Sequence, residues 1–163
     1  MDLQCAGKRM TFSADLSAFS SLLGDKLKRL EKGVVIGLGE DVVTRSPVGD
    51  PDNWRSEELR AWAAAVGYVG GRFIANWQYG LAARPLGDLP DIDATGQVSL
   101  SRIAQGVRAV TRPGNIHYIT NNLPYAQDIE NGHSWNQAPN GVVDLAVTQW
   151  QRIANEQARL ISA

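Results

Sequence analysis

The stretch Tyr118-Ile119-Thr120-Asn121-Asn122-Leu123-Pro124-Tyr125-Ala126-Gln127-Asp128-Ile129-Glu130-Asn131-Gly132-His133-Ser134 and, two residues on, Gln137-Ala138-Pro139-Asn140-Gly141-Val142-Val143 decides how the chain is read. Residues 115–121 alternate through Ile116, Tyr118 and Thr120, which predicts a strand. Pro124 opens a helical turn over 125–131, closed by Gly132 in a typical C-terminal position. Pro139-Asn140 then opens a last helix to about Leu160. Val143, Val147, Trp150, Ile153 and Leu160 are its expected buried stripe, and Arg152, Glu156 and Arg159 its wet face. The same stretch concentrates the polar residues that most resemble a site: Asn121, Asn122, Asp128, Glu130, His133 and Gln137.

Working outward, residues 1–12 read as an extended arm or a first short strand. Ser13 is the expected N-cap of a long helix, with Asp15 in its first turn. Leu16, Phe19, Leu23, Leu27, Leu30, Val34 and Leu38 recur at spacings of three and four, the apolar stripe of one amphipathic helix. Val42 extends the pattern and Pro47 stops it. Gly24, Gly33, Gly37 and Gly39 each cost about 1 kcal/mol relative to alanine in a helix interior, so packing must hold this helix together. Residues 44–51 are turn chemistry. Ser56 caps a short helix over 56–66, with Glu57 and Glu58 in its first turn and Gly67 after its end. Residues 72–81 alternate as a strand, 82–98 form a long loop, and 99–111 read as a second amphipathic helix or, alternatively, a strand. The predicted fold class is α+β: an antiparallel sheet with long N-terminal and C-terminal helices packed on one face, in a single domain spanning 1–163.

Composition excludes several classes. In 163 residues, 44% apolar and 20% charged, there is enough chain for one ordinary core. A formal net charge of −1 argues against nucleic acid as a principal partner. The single cysteine, Cys5, cannot form an internal disulfide and fits a reducing compartment. Residues 1–10 lack the apolar run of a signal peptide, and no stretch approaches the ~20 apolar residues of a membrane span.

No catalytic pattern emerges. Asp128, Glu130 and His133 lie close enough in sequence to suggest a small metal-dependent hydrolase, but His-x-x-x-His and His-Glu-x-x-His spacings are absent. There is no Gly-x-Ser-x-Gly elbow and no phosphate loop. The expectation is no enzyme, no metal and no cofactor. Interaction is what remains, and aromatics near turns are its usual anchors. The interaction candidates are Trp54, Trp62, Asn122, Tyr125, Glu130, His133 and Trp135.

Two motif blocks then suggest a family. Ser46-Pro47-Val48-Gly49-Asp50-Pro51, Trp54, Gly67-Tyr68-Val69-Gly70-Gly71-Arg72-Phe73 and Ala75-Asn76-Trp77-Gln78 form the first. Ile119 to Ala126, Ile129-Glu130-Asn131-Gly132-His133-Ser134, Gln137-Ala138-Pro139 and Gly141 form the second. Together, over residues 13–161, they resemble the tail-completion or neck proteins of long-tailed bacteriophages. That family has a Thr/Ser-Pro-Val turn before a Gly-rich, Trp-ending strand, then an Ile-Glu-x-Gly and a Pro-x-Gly that opens the last helix. Residues 57–66 read as a small insertion against the pattern, as does the 82–98 loop.

The resemblance implies a structural protein without an active site. It implies a homo-oligomeric ring, hexameric with a dodecamer as alternative, in the virion neck at the top of the tail, after assembly in the host cytoplasm. Expected partners are the head–tail connector or portal adaptor proteins and the tail terminator or tail tube protein, with DNA passing through the ring and neither membrane nor sequence-specific nucleic acid bound. Subunit contacts are expected on the 82–98 loop, on 121–137 and on the exposed face of the first helix. A soluble adaptor is the third reading.

Overall fold

The computed structural model describes residues 12–162. Of the arm expected over 1–12, residues 1–11, with Cys5, lie outside them, and Phe12 belongs to a helix rather than to the arm. In order the elements are α1 (Phe12–Arg45), a 3-10 turn (Pro51–Asn53), α2 (Glu57–Val66), α3 (Arg72–Ala75), β1 (Trp77–Leu81), α4 (Gln97–Arg108), β2 (His117–Asn121), α5 (Ala126–Glu130) and α6 (Val143–Ser162). The protein is α+β, a two-stranded antiparallel sheet with the long terminal helices packed together. Trp77 pairs with Asn121, Tyr79 with Ile119 and Leu81 with His117. Helix α4 packs on both α1 and β1. Among the described residues no helix is long and apolar enough to cross a membrane.

Local chemistry sets several boundaries. Ser46 donates its hydroxyl to the Val42 carbonyl at 2.7 Å, and Pro47 follows, so α1 stops there. Ser13 lies inside α1 rather than capping it. Ser56 accepts the Leu59 amide at 3.2 Å, and Gly67, at φ 63°, closes α2. Helix α4 starts two residues earlier than expected because the Asp93 carboxylate accepts the Val98 and Thr95 amides, at 2.9 and 2.8 Å.

The glycines of α1 are packing devices. A Cβ at Gly37 would lie 2.7 Å from Ile153 Cγ2, and one at Gly39 would lie 2.9 Å from Ile103 Cγ2. Gly33 is likewise covered by the Gln157 side chain. The pairs 33 with 157 and 37 with 153 make α1 and α6 antiparallel, at an approach only small residues allow. The core joins them: Val35, Val42 and Val43 of α1, Ala146 of α6, and Phe73, Ile74, Trp77, Ile103, Val107 and Leu123 between.

Three expectations are corrected. Residues 72–75 are a helical turn, not the start of a strand. Every residue from Phe73 to Gln78 is buried, so alternation there carried no information. The Asn76 amide donates to the Arg72 carbonyl, Ser99 to that of Ile74 and Arg102 to that of Ala75, so the turn needs no strand partner. Next, four of the five residues of the expected α6 stripe are exposed: Val147 59%, Trp150 51%, Leu160 71%, with Val143 also open; only Ile153 is buried. Ile153, against Gly37, is buried together with Ala146, which the expected stripe did not include. The last helix also begins at Val143, after the Pro139-Asn140 turn.

The third correction concerns α1. The helix is buried only toward its C-terminal end, through Val35, Gly39, Val42 and Val43; of the expected stripe only Val42 is buried, while Leu30, Val34 and Leu38 are half-buried. Phe12, Leu16, Phe19, Leu23 and Leu27 are all exposed, Phe12 at 83% and Phe19 at 63%. By the α1–α6 pairing, the end of α6 stands abreast of residue 28, so residues 12–27 extend about 24 Å beyond it.

Candidate interaction groove

The two sequence blocks meet in space. The Trp77 indole N–H donates to Ser46 Oγ at 2.7 Å, so the residue that opens β1 is anchored on the residue opening the first block's turn. The Val48 carbonyl accepts the Gly71 amide at 2.5 Å, and Gly70 lies so close to Val48 and Gly49 that a side chain would strike their carbonyls. From the second block, Gln137 Oε1 accepts the amides of Val48 and Gly49, at 3.1 and 3.3 Å. The turn is thus clamped from both sides.

The second block is shaped by one carboxylate. Glu130, at the end of α5, accepts the amides of Val142, Val143 and Asp144, each at 2.9 Å. These are N–H groups that the start of α6 leaves without a helical acceptor. Burial pushes the Glu130 pKa up, but the three donors outweigh it and hold the carboxyl below its ordinary value. Gly141, at φ 74°, sits against this carboxylate where a side chain would collide. Between α5 and α6 the Ala138 amide donates to the Ser134 carbonyl at 2.7 Å, which folds 131–141 into a compact loop.

Between the clamped turn and this loop runs a groove of about 380 Å³. Trp54, Tyr68, Phe73, Tyr125 and Trp135 form its walls, and Asp50 and Asp128 are its lining carboxylates. Trp54 leans on Tyr68 with ring centres 5.2 Å apart, and Phe73 on Tyr125 at 6.3 Å. Arg55 stacks over Trp135, 4.2 Å from the ring centre. Burial pushes the Tyr68 and Tyr125 hydroxyls above their ordinary pKa. Both therefore stay protonated at neutral pH, as donors at the edge of an apolar surface.

Of the sequence-derived candidates, Trp54, Tyr125, His133 and Trp135 line this groove, with Asp128 and Gln137. Trp62 flanks it, its ring 6.1 Å from that of Tyr68 and half exposed. Two candidates are placed elsewhere. Glu130 faces the α6 amides. Asn122 donates to the carbonyls of Pro85 and Gly87, at 3.0 and 2.9 Å, and pins the long loop. That loop is also held by Asn76 on Leu89, Gln78 on Gly87 and the Arg102–Asp91 ion pair at 2.8 Å. Asn121 donates to the Phe73 carbonyl and is structural as well.

No protein-family model, curated protein or solved structure matches this chain. Its site is therefore argued from its own geometry. Asp128 and His133 approach to 3.8 Å, but Glu130 is turned away into its amides. Among the described residues no group of three or more His, Cys, Asp or Glu could hold a metal ion.

Sequence reasoning passed over one polar constellation. His117 Nε2 lies 2.6 Å from Glu31 Oε1, and its Nδ1 lies 2.8 Å from the Tyr79 hydroxyl. Glu31 also accepts the Gly114 amide at 2.5 Å, tying α1 to the turn before β2. Glu31 lies 86 positions from His117, and no local signal joins them.

Proposed function

We propose that the protein is a non-enzymatic assembly subunit that forms a homomeric ring in the neck of a long-tailed phage, joining the tail to the head connector. The carrying observation is the half of α1 that extends past the end of α6 with Phe12, Leu16, Phe19, Leu23 and Leu27 uncovered. An apolar seam about 24 Å long costs free energy in water and is stabilised by burial against another chain. The likeness of the two sequence blocks to neck proteins supplies the biological setting. The bonds of Ser46 to Trp77 and of Gln137 to the Val48–Gly49 turn support that likeness, because they make the blocks one structural unit. A groove walled by aromatics adds a second contact surface. The metal-dependent hydrolase is not adopted, since Glu130 is committed to the start of α6.

The test is electron microscopy of the protein mixed separately with purified tail tubes and with DNA-filled, tailless heads of its phage. A ring capping one tube end, or a new collar beneath the portal, is the expected result. Folded protein that adds density to neither would refute the assignment.

A further inference from the structure

We propose that the aromatic groove is the receptor for the Lys8-Arg9 pair of a second copy of this chain, so that subunits join head to tail. The proposal rests on the homo-oligomer reading above and names the contact that builds it. The groove offers what a basic side chain requires. Trp54, Tyr68, Tyr125 and Trp135 present ring faces and edges, and Asp50 and Asp128 supply negative charge. Arg55 already stacks a guanidinium on Trp135 from within the chain. The Tyr68 and Tyr125 hydroxyls have no hydrogen-bond partner among the described residues and remain available to backbone carbonyls of an incoming segment.

Reach decides which copy supplies the pair. Lys8 and Arg9 precede Phe12 by four and three residues, so neither is more than about 14 Å from the start of α1, even on fully extended chain. The groove borders Pro47 to Asp50, just past the opposite end of α1. That helix has 34 residues and is about 51 Å long. A subunit's own pair therefore falls more than about 30 Å short of its own groove. Contact between them is intermolecular, and it joins two different patches. Such heterologous contacts close into rings or extend into filaments, whereas a contact of one patch with itself stops at a dimer. The exposed seam of α1 immediately follows Lys8-Arg9, so the same docking lays that seam along the neighbour.

Cys5, the only cysteine, sits three residues before Lys8 and serves as a natural label. Full-length protein carrying Ser134→Cys in the groove is treated with a short bismaleimide. The control carries Ser101→Cys, on the exposed side of α4 outside the groove. Self-association of each is followed by light scattering. The expected result is a ladder of cross-linked oligomers with Ser134→Cys and only background with Ser101→Cys. Adding Lys8→Glu and Arg9→Glu should lower the ladder at least about tenfold, the effect of losing one or two cation–aromatic contacts. Oligomers that form without a Ser134→Cys ladder, or a ladder indifferent to charge reversal, would overturn the arm-in-groove contact and leave the ring standing. Protein that stays monomeric at every concentration would overturn both.

Discussion

Replacing Glu130 with alanine separates two incompatible roles for this residue. Its sequence context nominated it for partner contact, but its carboxylate accepts three backbone amides at the start of α6. Losing a helix cap costs about 0.5–2 kcal/mol, and hydrogen bonds to charged groups contribute about 1.5–3 kcal/mol. The amides of Val143 and Asp144 belong to exposed residues and can turn to water, whereas Val142 is fully buried and its N–H cannot. The total for Glu130→Ala is therefore about 2–4 kcal/mol. At about 2–4 °C per kcal/mol for a domain of this size, Tm should fall by roughly 4–16 °C. Glu130→Gln keeps an acceptor oxygen but loses the charge at the helix N-terminus, and should cost about half as much. The assay is thermal unfolding followed by circular dichroism. Acid adds a second readout. The folded-state pKa lies below the ordinary 4.5, so the stabilisation is complete above 4.5 and is lost as pH falls through the folded value. The Tm gap between wild type and Glu130→Ala should therefore close on acidification. A variant that melts with wild type yet fails to assemble would refute the capping role and restore the contact role.

Four further perturbations follow from the packing. Ser46→Ala removes the acceptor of the buried Trp77 indole and should cost about 1–3 kcal/mol in urea unfolding; no loss would mean the bond contributes nothing. Gly24→Ala, with open space around it, should stabilise by about 1 kcal/mol, whereas Gly37→Ala drives a methyl against Ile153 and should destabilise by about 1–3 kcal/mol before that gain is counted; equal effects would contradict the close helix crossing. Phe19→Glu and Leu23→Glu should leave Tm within about 2 °C, the equivalent of the roughly 0.5 kcal/mol expected for exposed sites, yet abolish self-association by light scattering; a large Tm loss in dilute protein would show the seam is covered within the subunit. Glu31→Gln should destabilise near neutral pH and much less in acid. Burial raises the Glu31 pKa but the His117 bond and the Gly114 and Asn115 amides lower it further, so its contribution is present above 4.5 and lost below; a pH-independent penalty would contradict that pairing.

Much of the groove was legible before the fold was known, because Trp54, Tyr125, His133 and Trp135 sit in turn-rich segments where aromatics are conspicuous. Tyr68 and Phe73 belonged to the quoted motif, but nothing local marked them as walls of one cleft. Glu130 stood out as a polar residue of the deciding stretch, but the sequence did not show which groups its carboxylate would accept from. Its acceptors lie 12 to 14 residues downstream and meet it only because Gly132 and Gly141 turn the loop back. Asn122 was legible as a polar residue after a strand, but its partners, the carbonyls of Pro85 and Gly87, belong to a loop whose path the sequence does not encode locally.

By itself the sequence determined what depends on neighbours within one turn of helix or one step of strand. The end of α1 at Ser46-Pro47, the Ser56 cap and Gly67 close of α2, the β2 strand and the glycine-closed turn of α5 all belong there. Caps, turns and φ preferences act over a few residues, so their signals are local. Tertiary structure alone decided which side of each long helix is covered. An apolar stripe shows that a helix seeks a partner, not where the partner ends. In α1 the stripe runs from Leu16, but α6 reaches only to residue 28, and Leu16, Phe19, Leu23 and Leu27 before it are left open. In α6 the partner helix comes so close, at Gly33 and Gly37, that Ala146 and Ile153 are buried and Trp150 is turned out to solvent.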